Sequence, residues 1–275
     1  MLLAGCSALK LGYGQAENFA YLWLDRYVDF DSTQGKAARS AITKWFAWHR
    51  RTQLVDYSEL LTRAETEVMA NTTPERACAW WDMVRTRLDR AVEQAVPPFA
   101  ELATTLTPDQ LERIEKRYAK TNKEFRDDFL QPDPADRQQA ATKRAVDRYE
   151  LLYGDLESYQ KERLDRWVSE SPWDPQRSFD ERRARQRDAL QALSRIARDK
   201  PDPATAQGLV RDWLQRFFVS TNVSYREYAE RVVRHNCRLF ADIHNSTTPA
   251  QRQYAARRLK MWATDLRALA AERID

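Results

Sequence analysis

Six glycines in 275 residues, three of them (Gly5, Gly12 and Gly14) before residue 15, exclude most ways of folding this chain. Tight β-turns and phosphate-binding loops need glycine where the backbone turns through positive φ. A chain this poor in glycine is confined to long helices joined by short polar loops. The apolar pattern agrees. Phe19, Leu22, Trp23, Tyr27 and Phe30 recur at three- and four-residue steps, and Ile42, Trp45, Phe46 and His49 repeat that spacing. Continued to the C-terminus, the pattern predicts an all-α multi-helix bundle of about nine or ten helices, most longer than the usual 11–12 residues. Short connections predict mostly antiparallel packing of consecutive helices. Residues 16–275 read as one helical domain, with the proline turn near 171–176 the best candidate for a subdomain division.

The helix starts share a chemistry. "TTPERA", "LTPDQL" and "TTPAQR" place Thr73, Thr107 and Thr248 as N-caps, followed by proline in the first turn. In the last two, Gln110 and Gln251 stand where a side chain reaches back to complete a capping box. "DSTQGK" and "LESYQK" are looser relatives. Pro97-Pro98 are expected to kink or end the helix that begins at Thr73, and a break is expected near Thr52 to Asp56.

Few chemistries find a foothold. Lys and Arg number 45 against 41 Asp and Glu, a net charge of +4 that does not call for a polyanion. No H-E-x-x-H, C-x-x-C, G-x-S-x-G or phosphate-loop pattern occurs. No metal, cofactor or catalytic residue is therefore assigned, and the chain reads as a non-enzyme. An enzyme with an unrecognised helix-borne site and a cytosolic arginine-rich nucleic-acid binder are the alternatives; on the preferred reading there is no nucleic-acid partner. His49 follows Trp48 on an apolar face and reads as a hydrogen-bonded core histidine. Trp48, His49 and Arg50, with Trp80 and Trp81, form the aromatic and arginine clusters that would suit a protein partner. Trp80 and Trp81 cannot face the same way, so one of them should be partly exposed. Cys78 and Cys237 have two readings. They are two buried thiols, or a disulfide that closes a long loop and stabilises by about 4–5 kcal/mol in the chain-entropy treatment.

The N-terminus offers an address. Leu3-Ala4-Gly5-Cys6 fits the small-residue box that ends a lipoprotein signal, with Cys6 as the lipid attachment site. Ser7, in place of Asp, directs such proteins to the outer membrane. Residues 1–5 read as the remnant of the signal and 6–15 as a lipid-anchored tether. Five residues are too few for the basic and apolar regions of a working signal, so the delivering segment is expected upstream of Met1. Beyond these residues no apolar run approaches the length of a membrane span, and the body is expected to be soluble.

This box, "LWLDRYVDFDSTQ", "WFAWHRRTQLVDYSELL", "LTPDQ" and the terminal "TPAQRQYAARRLKMWATDLRALA" together resemble an uncharacterised family of all-helical lipoproteins of Gram-negative proteobacteria. Its members usually carry a proline after the Trp-His-Arg run, where this chain has Val55. The L-T-x-x-Q pattern also resembles the motif of Spy/CpxP-type periplasmic proteins, complete in "LTPDQ" and partial in "TTPAQ". These resemblances imply a lipid-anchored protein on the periplasmic face of the outer membrane, bound to the membrane through its N-terminal lipid and without an enzymatic activity of its own: an envelope protein that binds other proteins in a chaperone-like way. They transfer no catalytic residue.

Overall fold

The computed structural model describes residues 8–272, and among them every regular element is helical. The order is α1 (Ala8–Gly14), α2 (Ala16–Val28), α3 (Ser32–Trp48), a π turn (His49–Gln53), α4 (Leu54–Glu67), α5 (Pro74–Thr104), α6 (Pro108–Phe129) and α7 (Pro134–Tyr153), followed by α8 (Ser158–Ser169), α9 (Pro175–Asp199), α10 (Pro203–Phe218), α11 (Val223–Asn245) and α12 (Pro249–Ala271). Since α3 runs through the π turn into α4, the described chain is an all-α bundle of eleven helical rods. The signal remnant and Cys6 lie outside the described residues.

Capping chemistry sets most of these boundaries. Thr73, Thr107 and Thr248 each accept a backbone N–H of the first turn, with proline next in the chain. Asp133, Asp174 and Asp202 do the same ahead of Pro134, Pro175 and Pro203. The prolines of "SPWDPQ" and "PDP" therefore open helices as well as ending the segments before them.

Four helix starts go further and interlock in pairs. Gln34 and Gln110 exchange side-chain amide hydrogen bonds, with Nε2 to Oε1 distances of 3.1 and 2.6 Å. Gln160 and Gln251 do the same, at 2.9 Å in both directions. Each Oε1 also accepts the backbone N–H of its own N-cap: Asp31, Thr107, Glu157 and Thr248 respectively. Each Nε2 also donates to the backbone carbonyl two residues before the partner's cap: Thr105, Asp29, Ser246 and Asp155. The four glutamines are buried, Gln160 completely. Burying an amide is tolerated when all its hydrogen-bonding groups are paired, as they are here.

Two larger buried clusters make up most of the core. One gathers Val28 of α2, Val96, Ala100 and Ala103 of α5, Ile114 of α6, Leu193 and Ile196 of α9, and Ala206 and Val210 of α10. The other gathers Val68, Tyr153, Leu156, Leu164, Ile243, Ala255 and Leu259 around α4, α7, α8, α11 and α12. The first glutamine pair joins the α2/α3 corner to the α5/α6 corner beside the first cluster. The second joins the α7/α8 corner to the α11/α12 corner beside the second. The chain passes between clusters near 171–176 and at several other points, so the two are interleaved along the sequence.

Four expectations need correcting. Consecutive helices do pack together in α2/α3, α7/α8 and α9/α10, but the most extensive interface is between α4 and α12, and α5 packs on α10 and α11. The consecutive pairs α5/α6 and α11/α12 make no such interface, and each of these helices packs on a distant partner. Pro97 and Pro98 do not end α5, which continues to Thr104. Val96, Ala100 and Ala103 are buried on the face that the helix would lose by breaking. The break expected near Thr52 to Asp56 is the π turn at His49–Gln53, marked by a Leu54 N–H to His49 carbonyl bond, and the helix resumes after it. Within the stretch expected to be a tether, residues 8–14 are helical, and Leu9 and Tyr13 pack on Leu54, Leu266 and Leu269.

The glutamine pairs generate a prediction. Gln160→Leu takes partners from the buried Gln251 amide and from the Glu157 N–H, and is expected to cost about 2–3 kcal/mol in urea denaturation. Gln251→Leu on the same background is expected to cost much less than it does alone. Additive costs would show that the two side chains do not act as a unit.

Candidate functional site

A groove of about 620 Å³ lies between α4, α5 and α11, with α7 and α12 beneath it. Val68, Tyr153, Cys237 and Leu259 are buried in its floor, and Trp80, Trp81, Val84 and Phe240 line its sides. Cys78 and Cys237 are joined as a disulfide, S–S 2.05 Å, across 159 residues of chain, which ties α5 to α11 along the groove.

The groove's polar groups are held by one another. Glu67, at the end of α4, accepts from Arg76 and Trp80 Nε1 (2.9 Å) and from Arg63 Nε (2.8 Å). The Arg76 hydrogen bond above all, with Arg63 and Trp80 adding to it, holds the Glu67 carboxyl down to about 2. The indole of Trp80 is thereby pinned, with Arg63 and Arg76 each 5.7 Å from its ring centre. Trp81, one residue on, faces out and is 51% exposed, and Val84 is 48% exposed. The neighbouring tryptophans thus split into one fixed and one free.

His244 closes the groove's inner end. Its Nε2 lies 2.7 Å from the Ala70 carbonyl and must carry the proton there. Its Nδ1 accepts from the Tyr153 hydroxyl at 2.7 Å. Burial lowers the His244 pKa, so the ring is neutral at ordinary pH. Asn245 exchanges two bonds with the backbone of Thr72 at 2.9 Å, fastening the α4–α5 link to the end of α11. Sequence reasoning missed Glu67, Tyr153, His244 and Asn245; no local motif marks them, since apart from the Arg63–Glu67 pair their side-chain partners lie 9 to 174 residues away.

Trp48, His49 and Arg50 do not join this groove. They sit at the π turn, where Trp45 stacks on His49 at 4.8 Å and Tyr57 meets it edge-on at 5.4 Å. The Tyr13 hydroxyl is 2.9 Å from His49 Nδ1, and Arg50 pairs with Glu272 at 3.1 Å. Burial brings the His49 pKa down to about 4. This is a packed aromatic knot that docks α1 and the end of α12, and it leaves those three residues committed to the fold. Among the described residues, no three His, Cys, Asp or Glu side chains converge as a metal site would require. No helix among them is long and apolar enough to cross a membrane.

With this architecture in view, comparison with known proteins places the chain in a class without an assigned activity. Residues 26–216 match a family of unknown function, DUF6279, and the chain belongs to that family. No curated protein and no solved structure matches it.

The histidines make the fold sensitive to acid. Unfolded His49 protonates near pH 6.5, whereas the folded ring resists down to about 4, and His244 is shifted in the same direction. Stability is therefore fully present above about pH 6.5 and is lost as the pH falls toward 4, by up to about 3 kcal/mol for His49. Urea denaturation across that range should show the decline, and His49→Gln should flatten part of it. An unchanged slope in His49→Gln would remove His49 as its source.

Proposed function

We propose that the protein is a non-enzymatic binding protein of the cell envelope, lipid-anchored at Cys6 to the periplasmic face of the outer membrane. Its groove between α4, α5 and α11 holds apolar side chains of unfolded polypeptide segments in a chaperone-like way. The observation that carries this reading is the pairing of Trp80 and Trp81. Trp80 is locked by Glu67 as a rigid wall, while Trp81 and Val84 stand half exposed beside it over an apolar floor. Exposed aromatic and aliphatic side chains beside a preformed apolar cleft are what a protein-binding surface offers, and indole gives large contact area at low entropic cost.

The compartment rests on the Leu-Ala-Gly-Cys box and draws support from a disulfide that suits an oxidising space. The Spy/CpxP-like reading draws support from the use of the T-x-x-Q pattern at paired helix starts.

Residues 8–275 are expected to suppress the aggregation of a chemically denatured client near stoichiometric ratio, and Trp81→Ala to lose most of that effect while keeping its thermal midpoint. No suppression at stoichiometric excess would sink the chaperone-like reading. Cells expressing the full gene should incorporate a palmitate analogue into the protein, and Cys6→Ala should abolish the label. Label retained in Cys6→Ala would refute the anchor.

A further inference from the structure

On the other side of α11 lies a second cavity, of about 590 Å³, with the opposite character. Arg137, Arg144 and Arg148 of α7 reach it from one helix face, since steps of seven and four residues return a side chain to within about 40°. Ala141 and Ala145 stand between them and leave the space beneath open. His235 of α11 also lines it, its Nε2 held by the Trp167 carbonyl at 2.9 Å, and the cavity wall contains no carboxylate among the described residues. Phe129, Trp167 and Trp173 supply flat apolar walls.

The arginines lack the partners that usually neutralise them. Arg137 donates to the carbonyls of Gln131 and Pro132, and Arg144 to that of Asp128 at 3.2 Å, with its guanidinium 4.6 Å from the Phe129 ring centre. Arg148 makes no hydrogen bond among the described residues, and none of the three is ion-paired there. Asp128 acts on Arg144 without an ion pair, and the other nearby carboxylates are engaged elsewhere: Asp165 by Gln138 and Thr142, Asp242 by Arg163 and Trp167, and Asp147 by Lys143. Burial and the neighbouring Arg148 both press on the charge of Arg144, and Asp128 offsets them in part. Positive charge in excess of its carboxylate partners, gathered in a partly dry cleft of ligand size, is stabilised by an anion.

We infer that this cavity is a binding site for an organic anion, a carboxylate or phosphate carried on an apolar or aromatic body. The acid group is held by the Arg137–Arg144–Arg148 face and the body lies against Trp167 and Trp173. The site is separate from the groove of the proposed function: its acceptor is a small molecule, and its recognition is by charge.

The test uses 1-pyrenebutyrate, with 1-pyrenebutylamine as a probe of equal size and opposite charge. The butyrate is expected to bind with micromolar affinity at low salt and the amine at least about tenfold more weakly, because a charged hydrogen bond pair separates them. Arg148→Gln, at an exposed position that the core does not use, and Arg144→Gln should each weaken the butyrate about tenfold. Trp81→Ala should leave it unchanged. Competition by inorganic phosphate at millimolar concentration would show that the same arginines take phosphate; failure to compete would restrict the site to carboxylates. Equal binding of the two pyrenes, no loss in Arg148→Gln, loss in Trp81→Ala, or no binding at millimolar butyrate would each overturn the inference.

Discussion

The arrangement of this bundle depends on a reciprocal exchange of amide hydrogen bonds between helix starts. A helix N-terminus leaves backbone N–H groups unpaired and carries partial positive charge, so two such ends do not meet in a protein interior without help. Here each glutamine brings a carbonyl oxygen to its own cap and an amide donor to its partner's corner. Glutamate in its place would set two carboxylates against each other, and asparagine is one methylene too short to reach both its own cap and the partner. Every donor and acceptor in the pair is used, which is why Gln160 can be buried completely. A network satisfied in this way specifies one geometry more than it adds net stability.

The same construction occurs twice. Each pair couples one acidic and one threonine cap, Asp31 with Thr107 and Glu157 with Thr248, and each joins two helix corners beside its own apolar cluster. The two units are then locked by elements that belong to both. α5 carries Val96, Ala100 and Ala103 into the first cluster and presents Cys78 and Trp80 to the groove beside the second. The disulfide to α11 and the long contact of α4 with α12 complete the joint.

Much of this was legible in the residues, and the limit is instructive. Helical class and the caps at Thr73, Thr107 and Thr248 follow from local patterns, because a capping box is satisfied within four residues. That Gln34 would find Gln110, and Gln160 find Gln251, was not legible: the partners are 76 and 91 residues apart, and the capping reading already accounted for them. Pro97-Pro98 misled because local breaking rules ignore the burial of Val96, Ala100 and Ala103 that holds the helix together. The partly exposed tryptophan could be foreseen from two adjacent indoles, but which of them it was depended on the bond from Trp80 Nε1 to Glu67 of another helix. The cavities were invisible for the same reason, since each is walled by helices from distant parts of the chain.

The two cavities share a wall, and the wall is built not to move. Along α11, Val233, Cys237, Phe240 and His244 face the groove, whereas Val232, His235 and Leu239 face the basic cavity, as helical periodicity requires. Cys237 is bonded to α5, the His235 Nε2 donates to the Trp167 carbonyl at 2.9 Å, and His244 and Asn245 tie the end of the helix to the α4–α5 link. Coupling between sites needs an element with two arrangements that both ligands bias. α11 is fixed from opposite sides at three successive levels, and these contacts hold it in the one arrangement that shapes both cavities.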